Sequence, residues 1–154
     1  MTPSRTFARR LDMLPEIFAF TAAASRPQGL GDGILRAVEL VLEELFTNIV
    51  KYGEGASPVT ITIEPVPGGL QVTLDDPDAA HFDVTQPPAV DTTLPIEQRR
   101  PGGLGLHLIN RLVDCIEYRY IAADRHSQVR FRKTQTAPST GGAVASTGVR
   151  DAQD

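Results

Sequence analysis

One long amphipathic segment limits the folds open to this chain. Between Asp32 and Gly53, apolar side chains recur at spacings of three and four residues, the pattern of a helix with one buried face. The apolar positions are Ile34, Val38, Val41, Leu42, Leu45 and Ile49. The chain has 154 residues, of which 41% are hydrophobic, so it can build one core but not two ordinary ones. We therefore expect a single domain built around this helix.

Shorter elements are predicted before and directly after this helix. Residues 6–11 alternate weakly and fit an edge strand, and the alanine-rich segment 14–24 fits a short helix. Beyond Gly53, residues 59–63 and 70–74 alternate between apolar and polar side chains on either side of Pro67-Gly68-Gly69. This arrangement predicts a β-hairpin.

The second half of the chain repeats this scheme after a loop. Residues 77–101 contain several prolines and no clean period, which indicates a long surface loop. A helix is predicted after Gly105, and a second hairpin is predicted around 116–120 and 129–131. Antiparallel hairpins joined by helices favour an α+β two-layer α/β sandwich, with a mixed, mostly antiparallel sheet covered on one face by helices. We expect this domain to occupy residues 1–133 and a disordered tail to occupy 134–154.

Composition excludes several classes of function. The net charge of -4 argues against direct nucleic-acid binding, and the sequence contains no apolar run long enough to span a membrane. The lone cysteine, Cys115, cannot form an internal disulfide, which fits a cytoplasmic protein, and we expect its side chain to be buried. The histidines His81, His107 and His126 lack the spacing of zinc ligands.

Two polar residues on the long helix are candidates for a functional site. Glu44 and Asn48 lie four residues apart and therefore share one side of the helix, at the border of its apolar face. Polar groups at such a border need partners. Asn48 could bond a neighbouring loop and Glu44 could pair with Lys51 or another cation, so a structural role and a catalytic role both remain open.

A glycine-rich turn precedes the second-half helix. Gly102, Gly103 and Gly105 allow backbone N–H groups to converge on an anion, and the positive end of the helix dipole favours a phosphate there. A tight turn would also explain these glycines. The sequence matches neither a Walker A loop nor a dinucleotide fingerprint.

A carboxylate ends the first hairpin. Asp76 lies on the same strand face as Val72 and Leu74, so it should point towards the interior, where it needs a hydrogen-bond donor. An adenine amino group, a backbone N–H or a structural arginine could supply that donor.

The order of these three segments is more specific than any one of them. Residues 44–53 (ELFTNIVKYG) look like the N box of the GHKL, or Bergerat-fold, histidine-kinase-like ATPases. Asp75-Asp76-Pro77-Asp78 with Phe82-Asp83 looks like their first glycine box, and residues 102–106 (GGLGL) look like the second. Over residues 5–133 the chain most resembles the anti-sigma-factor serine/threonine kinases of this class.

The resemblance implies ATP and Mg²⁺ as cofactors and a role for each matching residue. Asn48 would coordinate Mg²⁺, and Glu44 would be the catalytic acidic residue, whose carboxylate positions or deprotonates the attacking hydroxyl. Asp76 would accept a hydrogen bond from the adenine amino group. The other nucleotide-binding residues implied are Lys51, Tyr52, the backbone of Gly103, Leu104, Gly105 and Leu106, and Arg99 or Arg100 of an ATP lid at 84–101, while Ser127 would lie near Asp76.

The resemblance also implies a function. It implies a kinase that phosphorylates a STAS-type anti-anti-sigma partner in a bacterial partner-switch system, acts in the cytoplasm and forms a homodimer. One residue departs from the family pattern: Asp78 stands where a glycine is expected, and a carboxylate facing the phosphates would repel them. The alternative is therefore a non-enzymatic or degenerate nucleotide-gated regulator that binds a sigma factor or another regulatory protein.

Overall fold

The computed structural model describes residues 2–53, 55–79 and 103–135, with side chains from Gly105 onward in the last segment. The elements in chain order are β1 (Ser4–Phe7), α1 (Leu14–Ser25), α2 (Asp32–Tyr52), β2 (Val59–Val66), β3 (Gly69–Asp76), α3 (Gly103–Leu112), β4 (Cys115–Ile121) and β5 (His126–Thr134). This is the order that the sequence pattern predicted. Most of the predicted loop at 77–101 and nearly all of the predicted tail lie outside the described residues.

The five described strands form one open sheet in the order β1-β2-β3-β5-β4. Each of the four pairings is antiparallel, so the described sheet is antiparallel rather than mixed. The first hairpin turns at Pro67-Gly68, where Gly68 has a φ of 74°. From β3 the chain passes to α3 and edge strand β4, and β5 then returns between β4 and β3. The predicted α+β two-layer architecture is confirmed.

The core lies between one face of the sheet and the helices. Strands alternate, so one side of β2, β3 and β5 carries apolar residues that are almost completely buried. From the strands these residues are Val59, Ile61, Ile63, Leu70, Val72, Leu74, Val129 and Phe131; from α2 and α3 they are Ile34, Val38, Val41, Leu42, Leu45, Phe46, Leu106 and Ile109. This packing fixes α2 against the sheet and places α3 beside α2.

The ends of two elements are set by simple local features. Gly31 precedes α2 in an extended conformation, as an N-cap residue does, and Gly53 follows it, as the sequence predicted. Cys115 was expected to be buried, but it is exposed, because it begins edge strand β4 on the face opposite half-buried Ile116. None of the helices that the structure describes combines the length and apolarity needed to cross a bilayer.

Candidate functional site

The Glu44 side chain lies where α2 meets the beginning of α3. A Cβ atom added to Gly105 would overlap Oε2 of Glu44 and would lie 2.9 Å from its Cδ, so the carboxylate occupies the space that the absent side chain leaves. Glu43, the neighbouring acid, is exposed, while Glu44 is half-buried. The close approach of this carboxylate explains a glycine at position 105.

Asn48 lies one helical turn beyond Glu44 and carries an unpaired polar group. Its amide nitrogen Nδ2 is buried, yet it has no hydrogen-bond partner among the described residues. A buried donor without an acceptor costs about 1–3 kcal/mol, so such a group signals a missing acceptor. The amide oxygen on the same group can bind a cation, while the nitrogen can donate to an anion.

The first turn of α3 presents backbone donors where it meets Glu44. The helix begins at Gly103, and the first four N–H groups of a helix have no acceptor within it. Leu106 places its side chain in the core, so only its backbone is available to a ligand. This turn therefore fits an anion such as a phosphate, and the Glu44 carboxylate lies against it at Gly105.

Asp76 is buried at the end of β3, as predicted, and it is already paired. Its side chain is 3% exposed and that of Arg9 is 6% exposed, and the two form an ion pair. Arg9 Nη2 donates to Asp76 Oδ1 over 2.5 Å, and Nη1 donates to Oδ2 over 3.1 Å. The backbone N–H of Asp78 also donates to Oδ1, over 3.1 Å. Two of the three donors considered from the sequence, an arginine and a backbone N–H, are thus present together.

Asp78, which stands at the expected glycine position, is bound by the loop after α2. Its Oδ2 accepts a hydrogen bond from the backbone N–H of Ala56 over 3.1 Å. Its Oδ1 lies 4.0 Å from Arg125 Nε. The backbone of the next residue, Ala79, is fixed by a bond from its N–H to the Arg125 carbonyl, 2.7 Å. The Asp78 carboxylate therefore serves to hold the 55–56 loop against the end of β3.

The family model for the histidine kinase-like ATPase domain matches residues 7–133. The chain belongs to this family. No curated protein sequence matches it. Among solved structures, the RsbU and RsbW domains of Rv1364c from Mycobacterium tuberculosis are similar to it, with 10% identity and a TM-score of 0.62. The match covers 87% of this chain and 32% of that one, so this chain spans about a third of that protein. Acinetobacter baumannii histidine kinase AdeS is a looser match, with 14% identity and a TM-score of 0.43, covering 89% of this chain and 70% of that one.

In this histidine kinase-like ATPase domain, the C-terminal half of α2 connects the first turn of α3 with the Arg9–Asp76 pair. Glu44 contacts the first turn of α3, and Gly53 lies beside Arg9, which holds Asp76. These two positions are nine residues apart in the sequence, a rise of roughly 13 Å along the helix axis. A nucleoside triphosphate has a comparable length. The phosphate end of the site would then lie at Glu44 and the base end at Asp76.

The other predicted site residues lie in the last turn of α2, on β5 or outside the described residues. Lys51 and Tyr52 are exposed in the last turn of α2, with Tyr52 53% exposed. Ser127 is buried and lies directly opposite Asp76 in the β3–β5 register. The predicted lid at 84–101, with Arg99 and Arg100, lies outside the described residues. Across residues 2–53, 55–79 and 103–135, no three His, Cys, Asp or Glu side chains cluster as metal ligands.

The sequence interpretation did not single out Arg9, although a signal for it was present. Phe7 is buried in the core, and residues two apart on an extended chain share a face. The same period-two argument that placed Asp76 inward therefore places Arg9 inward. A buried arginine requires an acceptor, and Asp76 supplies it.

The residues present fit a bound ATP with Mg²⁺. Among the described residues, Asn48 Nδ2 has no partner, Gly105 leaves room for the Glu44 carboxylate, and the first N–H groups of α3 have no acceptor within the helix.

Proposed function

We propose that this domain is an anti-sigma factor serine/threonine kinase, which transfers the γ-phosphoryl group of Mg-ATP to a hydroxyl of a STAS-type anti-anti-sigma protein in a cytoplasmic partner-switch system. One observation carries the proposal: the Glu44 carboxylate lies against the first turn of α3, one helical turn from the unpaired buried amide of Asn48. The proposal makes Glu44 the general base, Asn48 the amide ligand and the first turn of α3 the phosphate-binding turn.

Nucleotide binding depends on Asn48, the α3 turn and Asp76. Asn48 would hold Mg²⁺ through its amide oxygen, and its Nδ2 would donate to a phosphate oxygen. When bound, Mg²⁺ supplies positive charge that neutralises the phosphates. The N–H groups at residues 103–106 would bind phosphate oxygens with help from the helix dipole. Asp76 would accept a hydrogen bond from the adenine amino group.

Transfer itself would depend on Glu44. The phosphoryl-transfer reaction needs mainly positioning and charge compensation, and the attacking hydroxyl must lose a proton. A half-buried carboxylate at the phosphate end of the site can orient that hydroxyl and accept its proton. The serine/threonine specificity and the STAS-type partner are supported by the motif resemblance to anti-sigma-factor kinases, and a fold likeness to an RsbW-containing protein is compatible with them.

Two alanine variants test these assignments. Glu44→Ala should bind Mg-ATP but lose about 10²- to 10⁴-fold in transfer rate, since it lacks only the base. Asn48→Ala should lose Mg-ATP binding itself. The matched control is Glu43→Ala, because Glu43 is the adjacent, exposed acid of the same helix. The assay incubates each variant with labelled ATP and candidate STAS-type proteins encoded nearby. Normal phosphorylation of a partner by Asn48→Ala would show that the site is wrongly assigned.

A second function is favoured by the residues at the base end of the site. Asp76 is already paired with Arg9, and Asp78 replaces a glycine of the family pattern. A non-enzymatic regulator that binds a sigma factor or another regulatory protein would need no transfer chemistry. Equilibrium titration with ATP and Mg²⁺ separates the two functions, because absence of binding at millimolar nucleotide supports the regulator.

A further inference from the structure

The hydrogen-bond capacity of Asp76 is almost used up. A carboxylate has about four acceptor positions, two on each oxygen. Among the described residues, Oδ1 accepts from Arg9 Nη2 and from the Asp78 N–H, and Oδ2 accepts from Arg9 Nη1. Three positions are therefore occupied. The remaining one belongs to Oδ2.

Arg9 is itself held in place from several directions. The β1–β2 register pairs Phe7 with Val59, so its continuation brings Arg9 opposite Ser57. Arg9 Nε donates to the Ser57 carbonyl over 3.0 Å. A Cβ at Gly53 would lie 3.0 Å from Arg9 Nη1, so the end of α2 packs against the guanidinium. A planar group fixed in this way also fixes the orientation of the carboxylate that it binds with two parallel bonds.

We propose that Arg9 is a positioning residue for base recognition, which orients Asp76 so that a single acceptor on Oδ2 is left for the exocyclic amine of adenine. This inference rests on the proposed function, in which Asp76 receives the base. A single open acceptor on the carboxylate favours a purine that carries an amino group at this position. An oxo-purine carries an oxygen there instead, so two acceptors would face each other without a proton between them. The Arg9 guanidinium also compensates the negative charge of the buried Asp76 carboxylate. A neutral base can therefore bind the carboxylate, and no buried charge is left uncompensated.

The alternative is that the Arg9–Asp76 pair only stabilises the fold. The two roles differ in one measurable quantity, the ratio of affinities for Mg-ATP and for Mg-purine riboside triphosphate, which lacks the amino group. A structural role changes both affinities together and leaves the ratio unchanged. A positioning role changes the ratio, because only ATP uses the oriented acceptor. Inorganic tripolyphosphate with Mg²⁺ provides a third probe that reports on the phosphate end alone.

The experiment measures these affinities by calorimetric titration of the full chain and three variants. The wild-type protein should bind ATP about tenfold or more tightly than the analogue, the effect of one hydrogen bond to a charged group. Arg9→Gln should bring the ratio close to one without changing tripolyphosphate affinity. Arg9→Lys keeps the charge but loses the two-pronged contact, so its ratio should also fall. Arg10→Gln, which removes an adjacent exposed arginine, should behave as wild type.

Each outcome decides between the two roles. A wild-type ratio in folded Arg9→Gln overturns the inference, while the proposed function stands. If Arg9→Gln does not fold, Arg9→Lys decides, and a full wild-type ratio in that variant equally overturns it. Failure of the wild-type protein to bind ATP at all removes the proposed function and this inference together.

Discussion

Replacing Arg9 by methionine should strongly destabilise the domain. The arginine donates to both oxygens of Asp76 and to the Ser57 carbonyl, and its removal leaves the buried carboxylate with the Asp78 N–H as its donor among the described residues. Both side chains are almost fully buried, so solvent screens the pair very little. Breaking a buried ion pair by removing one partner costs about 3–5 kcal/mol.

Urea denaturation followed by circular dichroism measures this loss. With a denaturant slope of about 2 kcal/mol/M, a loss of about 4 kcal/mol lowers the midpoint by about 2 M. The control Arg10→Met removes an arginine whose pair with Asp12 is 63% and 68% exposed, and exposed pairs contribute only about 0–1 kcal/mol. Combining Arg9→Met with Asp76→Leu should recover most of the stability, because an apolar replacement of both partners leaves no buried charge. Equal midpoints for Arg9→Met and Arg10→Met would refute the reasoning.

Three further predictions concern glycines. Gly105→Ala should displace the flexible Glu44 carboxylate. The transfer rate in the labelled-ATP assay should then fall by about 10²- to 10⁴-fold, while the urea midpoint stays unchanged. An unchanged transfer rate would show that the contact between Glu44 and Gly105 has no catalytic role. Gly33→Ala in α2 has nothing within 4 Å of its Cβ and should raise the unfolding free energy by up to about 1 kcal/mol. Gly69→Ala should lower it, because its Cβ would overlap the Lys133 carbonyl; thermal denaturation checks both signs.

Features that depend on local spacing were predictable from the sequence. The four-residue spacing of Glu44 and Asn48 placed them on one side of α2, and the alternation of β3 placed Asp76 inward. The start of α3 was predicted less well: the helix was expected after Gly105, but it begins at Gly103, so Gly103 and Gly105 lie in its first turn. Helix and strand periods are short-range, so each of these predictions needed only a few neighbouring residues.

Features that depend on strand order were not predictable in the same way. Arg9 and Asp76 are separated by 67 positions, and they meet because β1 and β3 lie on either side of β2. Nothing near either residue indicates that order. The sequence left open whether Asp78 faces the phosphates; in the structure its carboxylate accepts a hydrogen bond from the Ala56 N–H in the loop after α2. That contact depends on where α2 ends relative to β3, which is a property of the packed domain.

At the base end of the site, the orientation of Asp76 depends on β1, a short strand. β1 has four residues and pairs with β2 at one edge of the described sheet, and Arg9 follows it by two positions. If Arg9 orients Asp76 as proposed, detachment of that short strand would leave the Asp76 carboxylate without its arginine partner. Thermodynamic reciprocity then makes a bound nucleotide hold the strand in place by the same free energy. On the proposed function, a protein that displaced β1 would weaken ATP binding without contacting the nucleotide.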